Sequence, residues 1–123
     1  MKLTGGYLVG GGLTLYSLQD ENLTLKEANT AVYITQRIGT SKVKLPFARD
    51  CAGQFVYADL LDAGVTGVHE STVTGTARIV TQGSDRILVK AATEATYFDL
   101  DEDRGSILLF SDGQLWFEVV SNP

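Results

Sequence analysis

The stretch that decides the fold is the last one, Ser106-Ile-Leu-Leu-Phe-Ser-Asp-Gly-Gln-Leu-Trp-Phe-Glu-Val-Val120. Apolar residues flank Asp112-Gly113, the dipeptide preferred at the centre of a two-residue type I′ turn, where both central residues need a positive φ. The pattern predicts a β-hairpin in which Phe110 faces Leu115, Leu108 faces Phe117 and Val119 continues that side. Leu109 then opposes Trp116, with Ile107, Ser111, Gln114 and Glu118 on the same side. A strand pair in a small domain ordinarily keeps one face wet. Here both faces are apolar, so one is expected to join the core and the other to meet a neighbouring subunit. Ile107, Leu109 and Trp116 are the hairpin's candidate interface residues, which points to an assembling protein.

Upstream, the same alternation recurs in short runs. Ala31 to Ile38, Lys42 to Leu45, Gln54 to Asp59, Ser71 to Val80, Arg86 to Lys90 and Glu94 to Leu100 read as strands, with Leu23 to Leu25 a shorter one. Glycine, asparagine and aspartate separate them at Asp20-Glu-Asn22, Gly39-Thr40 and Gly83-Ser84. Pro46 closes the Lys42–Leu45 strand because it has no N–H for a ladder. Phe47 to Gly53 is a connector with room for one helical turn, and Leu60 to Gly64 is a helical turn stopped by glycine. About nine or ten short strands at this spacing predict an all-β fold: an antiparallel sandwich or barrel-like, jelly-roll-like single domain over residues 13–123. Residues 1–12 read as a glycine-rich N-terminal arm, with Tyr7, Leu8 and Val9 as candidate contact residues.

The 123 residues suffice for one core. Thirteen glycines and a single methionine favour strands and tight turns. A formal charge of −5 argues against general nucleic-acid binding, which needs a basic surface. No apolar run reaches membrane-spanning length, and the N-terminus lacks the apolar block of a signal peptide. No nucleic-acid or membrane partner is therefore expected. One cysteine excludes an internal disulfide framework. Arg37, Lys42, Lys44 and Arg49 cluster in one stretch. Glu94, Asp99, Asp101, Glu102, Asp103, Asp112 and Glu118 dominate the C-terminal part. These read as solvated surfaces or as opposite patches meeting across a subunit boundary.

Candidate chemistry is sparse. His69 is the only histidine, and alternation puts it and Glu70 on opposite faces, so a general-base or metal site lacks its second group. Cys51 sits in a connector with no nucleophile motif and reads as a buried structural thiol. Asp99-Leu-Asp-Glu-Asp-Arg-Gly105 resembles a calcium loop, but Phe110 stands where the helix-flanked loop places its glutamate. It reads as a solvated acidic turn leading into the hairpin, with an irregular calcium site as the alternative. Gly10-Gly-Gly12 is followed by no Gly-Lys-Ser/Thr, which excludes a phosphate loop. Trp116 reads as a core or interface anchor. Tyr7, Tyr16, Tyr33, Tyr57 and Tyr97 are scattered. No catalytic, cofactor or metal residue is assigned, and the chain is not expected to be an enzyme.

Four motifs occur in order: Lys44-Leu45-Pro46; Gly53 before Gln54-Phe55-Val56; Gly83-Ser84-Asp85-Arg86-Ile87; and Leu109-Phe110-Ser111-Asp112-Gly113-Gln114-Leu115-Trp116. From about residue 31 onward this order resembles a β-module of bacteriophage virion proteins, found in tail-fibre, head-fibre and capsid-decoration proteins. The Gly53-to-Gly83 stretch is longer than in that pattern, consistent with a loop insertion. The resemblance implies a structural, usually trimeric virion part and transfers no catalytic residue. A short chain starting at Met1 with no fibre shaft fits a decoration or cement protein on the outer capsid, with itself and the major capsid protein or another virion protein as partners. The second reading is a tail-tip module that binds a host receptor or carbohydrate, which requires exposed aromatics in a cleft. The third, a small β-fold hydrolase, requires convergent titratable groups that the sequence barely supplies.

Overall fold

The computed structural model describes residues 6–9, 13–36, 38–61, 75–89, 93–101 and 104–119. Twelve strands appear among the described residues: β1 (Gly6–Val9), β2 (Leu13–Gln19), β3 (Leu23–Thr24), β4 (Thr30–Thr35), β5 (Thr40–Lys44), β6 (Phe55–Leu60), β7 (Thr76–Val80), β8 (Ile87–Val89), β9 (Thr93–Ala95), β10 (Tyr97–Leu100), β11 (Ser106–Ser111) and β12 (Trp116–Glu118). A 3-10 turn covers Ala48–Asp50. The strands form an eight-stranded sheet in the order β1-β2-β4-β6-β11-β12-β8-β9 and a four-stranded sheet in the order β10-β7-β5-β3. The two sheets pack in a sandwich-like arrangement around one core.

The all-β expectation holds, but the antiparallel one needs correction. β2–β4, β4–β6, β3–β5, β5–β7 and β12–β8 are parallel pairs. The reason lies in the connections. From β2 to β7 consecutive strands belong to alternate sheets, so neighbours in sequence do not pair as hairpins. Alternate strands then return to the same sheet running the same way. Turn residues such as Asp20 and Gly39 serve an arch as well as a hairpin; Asp20 takes φ 52° and Gly39 φ 77°.

Glu94 to Leu100, a single strand on the sequence reading, divides at Thr96. β9 lies at the edge of the larger sheet beside β8, and β10 at the edge of the smaller one beside β7. The Thr96 carbonyl accepts both the N–H and the hydroxyl of Thr81, each at 3.0 Å, which fixes the crossing. Gly6–Val9 of the expected arm pairs antiparallel with Leu13–Tyr16 of β2. This part of the arm lies on the chain's own sheet; residues 1–5 and 10–12 fall outside the described residues.

The core takes alternate residues from both sheets. Val32, Ile34, Val56, Ala58, Leu60, Ile107, Leu109, Ile87 and Trp116 from the large sheet face Val43, Ala77, Ile79 and Leu100 from the small one, all at most 2 % exposed. The outer face of the small sheet is polar, with Lys42 and Lys44 exposed. Beside them Arg78 grips Asp99 through two bonds of 2.7 and 3.0 Å and stacks on Tyr97.

Candidate functional site

The C-terminal hairpin forms, but two residues out of the expected register. Leu109 pairs with Glu118, Phe110 with Phe117 and Ser111 with Trp116. Asp112 explains the slip. Its Oδ1 accepts the N–H groups of Gln114 (2.8 Å) and Leu115 (2.9 Å), so Asp112 flanks the turn instead of occupying its centre. Gly113 alone takes positive φ, 96°, matching the glycine-first pattern of a type II′ turn. Those two N–H bonds also hold the Asp112 carboxyl below its usual pKa.

A two-residue slip preserves which side chains share a face, so the faces can be compared directly with expectation. Ile107 is 2 % exposed, and Leu109 and Trp116 are 0 %. These three interface candidates are core residues and offer nothing to a neighbour. Side chains buried between two sheets cannot also cover a second subunit. The hairpin's other face, Leu108, Phe110 and Phe117, is the half-exposed one.

That outer face continues across the large sheet. The register aligns Leu108 with Tyr57, and Tyr57 with Ala31. Next to this row, Phe55 pairs with Phe110, and Phe110 with Phe117. Leu13 and Leu15 extend the face on β2. The Phe55 and Phe110 rings lie 5.1 Å apart, and Tyr33 meets Tyr57 edge-on at 6.2 Å. Phe55 remains 43 % exposed, Leu13 38 % and Val119 45 %. A groove of about 470 Å³ opens between Leu13, Phe55, Tyr57 and Leu108, with Ala31, Tyr33, Asn29 and Thr30 completing its lining. The face spans five strands from β2 to β12, about 19 Å at ordinary strand spacing.

Charge is almost absent from this face. On β4, β6, β11 and β12 the outward positions carry a single ionisable carboxylate, Asp59, and its Oδ2 accepts the Tyr57 hydroxyl at 2.7 Å. That bond, with partial burial, raises the Tyr57 phenol above its ordinary pKa. A contiguous apolar face of this kind marks a contact surface more often than a reaction site. Sequence reasoning missed Phe55 and Tyr57. Their signal was present in Gln54 to Asp59, where Val56, Ala58 and Leu60 fill the core side and leave both aromatics on the other.

The four sequence motifs converge elsewhere, on the 3-10 turn. Trp116 Nε1 donates to the Pro46 carbonyl at 3.2 Å, and the Ser111 hydroxyl donates to the Ala48 carbonyl at 2.7 Å. The Ala48 N–H donates to Asp85 Oδ2 at 2.9 Å, and Gln82 Nε2 donates to the Leu45 carbonyl at 2.9 Å. Gly53 and Gln54 bond with Ser111 through backbone groups at 2.8 and 3.0 Å. Gly83 passes against the Phe47 ring, where a Cβ would come within 3.2 Å. Two distant segments, 82–85 and 111–116, thus clamp the connector and its two ends, Leu45-Pro46 and Gly53-Gln54, over the end of the sandwich. Their role is architectural.

Among the described residues, the remaining candidates do not converge on a reaction centre. Cys51 is 2 % exposed, and burial pushes its thiol pKa up, the opposite of a nucleophile's need. His69, Glu102 and Asp103 lie outside the described residues. Asp99 is engaged by Arg78, and Asp101 Oδ1 accepts the Arg104 N–H at 3.1 Å. Arg104 in turn pairs with Glu118. Among the described residues no group of three or more His, Cys, Asp or Glu is placed to hold a metal. No helix among them is long and apolar enough to cross a membrane. No protein family, curated protein or solved structure matches the chain.

Proposed function

We propose that this chain is a structural component of a bacteriophage virion, a decoration or cement protein that binds the outer capsid surface as a homotrimer and stabilises it. The observation that carries the reading is the broad, nearly uncharged apolar face of the eight-stranded sheet, which suits a protein that works by contact. The shared use of the four resembling motifs supports it further: Pro46, Gly53, Asp85, Ser111 and Trp116 act together on one connector, as parts of a single module would. The jelly-roll-like winding and the N-terminal arm belong to the same proposal. Alternation of the chain between sheets from β2 to β7 supports the first, although its parallel neighbours depart from that pattern.

A second reading, a tail-tip module for a receptor or carbohydrate, is favoured by one feature. The groove beside the exposed Phe55 ring offers an aromatic wall with Asn29 and Thr30 near it. Cryo-electron microscopy of purified virions tests both readings. Density for this chain on the outer shell, around threefold positions, is the expected result; density at the tail tip selects the second reading, and absence from the particle overturns both.

A further inference from the structure

We propose that Glu21, Gln36 and Ser41 form a calcium-binding site at one end of the sandwich core, built from a carboxylate, an amide carbonyl and a hydroxyl. The site lies apart from the apolar outer face and does not depend on the virion reading.

The chain brings the three residues to the same end. β2 ends at Gln19 and β3 begins at Leu23; β4 ends at Thr35 and β5 begins at Thr40. Links this short, with β2 parallel to β4 and β3 parallel to β5, keep all four strand ends together. The Asp20 N–H donates to the Thr35 carbonyl at 3.0 Å, and the Lys42 N–H to Asn22 Oδ1 at 2.8 Å, which places Glu21 between two attachments. Leu23 pairs with Val43, and Glu21 precedes Leu23 by two positions as Ser41 precedes Val43. Val43 and Ile34 are core residues, and positions two apart on a strand share a face. Ser41 and Gln36 therefore enter the core from opposite sheets, 2 % and 5 % exposed. Gly75 pins the backbone of Gln36, since a Cβ there would collide with the Gln36 carbonyl.

Their oxygens lack donors. Glu21 Oε1, Gln36 Oε1 and Ser41 Oγ are buried atoms, and none has a hydrogen-bond partner. Gln36 Nε2 donates to the Ile38 carbonyl at 2.8 Å, which turns the amide oxygen the other way. A carboxylate and an amide oxygen only accept, and the single serine proton satisfies at most one of them. Lys42, beside Ser41, stands on the exposed outer face and supplies no charge to the interior. A calcium ion answers all three oxygens at once. It takes six to eight oxygen ligands, charged and neutral, in flexible geometry, with water filling the remaining positions. Magnesium fits less well because it demands near-ideal octahedral ligands. Two of the three ligands are neutral, so no acidic cluster marks the site in the sequence. One carboxylate puts the affinity at the weak end, about 10⁻⁴–10⁻³ M.

The test uses the full chain, stripped with a chelator and titrated with calcium chloride. Calorimetry reads binding, a thermal melt reads stability, and far-ultraviolet circular dichroism reads folding. Wild-type protein is expected to bind one calcium ion and to melt about 3–6 °C higher when saturated. Glu21→Gln is expected to keep the β spectrum and to lose at least about tenfold in affinity. Ser41→Ala should show the same loss in smaller measure, and it carries the test if Glu21→Gln does not fold. In chelator both variants should melt no lower than the wild type, because each removes an unpartnered oxygen or its charge. An Asp101→Asn/Asp103→Asn variant, which neutralises the acidic turn, should bind calcium as the wild type does. Absence of binding heat at about 10 mM calcium overturns the inference. So does a melting shift that sodium chloride reproduces at equal ionic strength. Variants that melt lower in chelator yet bind calcium unchanged reduce the three oxygens to a packing or water-bridging role, and overturn it too. Loss of binding in Asp101→Asn/Asp103→Asn with Glu21→Gln unaffected moves the ion to the acidic turn and overturns it as well.

Discussion

Trp116 and Pro46 are 70 residues apart in sequence, yet the indole Nε1–H donates to the Pro46 carbonyl at 3.2 Å with the tryptophan wholly buried. Pro46 ends β5, and Trp116 opens β12, so this bond ties the edge of one connector to the interior of the other sheet. An indole satisfies both demands at once, filling the core and supplying a donor to a carbonyl that has no ladder partner.

Trp116→Ala should therefore cost about 3–5 kcal/mol of stability, the range for truncating a large buried aromatic. Trp116→Phe retains most of the packing and loses the donor, so a smaller cost of about 1–3 kcal/mol is expected. Urea titrations of the two variants separate the contributions. A loss below about 1 kcal/mol for the alanine variant is incompatible with the core placement.

Asp112 gives an acid-limb prediction. Its folded-state pKa is lowered by the Leu115 and Gln114 N–H groups. Its stabilising effect is complete above the unfolded carboxylate value near 4 and disappears as pH falls through the depressed value. Asp112→Asn keeps an acceptor oxygen without the titration. Stability measured at neutral pH and at about pH 3 should fall more for the wild type than for this variant. Equal losses would mean that the carboxylate charge contributes nothing to the turn.

The hairpin shows what the sequence could and could not convey. Apolar alternation on either side of Asp112-Gly113 was enough to place β11 and β12, and apolar periodicity made the all-β class plain. Register depended on whether Asp112 sits inside the turn or caps it from outside, and the dipeptide alone permits both. Which face becomes core was also open, because Ile107 and Leu109 are no more apolar than Leu108 and Phe110. Only the opposing sheet, with Val43, Ile79 and Leu100, decides it. Parallel pairing of β2, β4 and β6 was illegible for a similar reason: a turn signal does not say whether the chain returns to the same sheet or crosses to the other. Motif spacing did mark the residues that clamp the 3-10 turn, although not their common target.

Cys51 should behave as a reporter of unfolding. It is 2 % exposed, and burial raises its pKa, so little thiolate exists and little of it is accessible. Reaction with an aromatic disulfide reagent is expected to be slow in native buffer and to accelerate with urea in step with the unfolding transition. Rapid stoichiometric reaction of the native protein would place the thiol at the surface.

Ala48 offers the sharpest test of the clamp, because both of its peptide groups are held by side chains from distant segments. Its N–H is taken by Asp85 at 2.9 Å and its carbonyl by Ser111 at 2.7 Å, while the residue itself is wholly buried. Ser111→Ala removes one of that carbonyl's two donors, since the Cys51 N–H still reaches it at 3.0 Å, and leaves the Gly113 N–H that bonds the hydroxyl at 3.1 Å without its acceptor. Asp85→Ala leaves the Ala48 N–H without its carboxylate. Each change should cost about 1–3 kcal/mol, the desolvation penalty of an orphaned buried group. The two losses should not add. Once either side releases Ala48, the 3-10 turn can shift and recover part of the other bond, so the double variant should be less destabilised than the sum by at least about 0.5 kcal/mol. Denaturant titration of the four proteins completes the cycle. Strict additivity would show that Asp85 and Ser111 hold the connector independently, and the account of four motifs acting as one clamp would then fail.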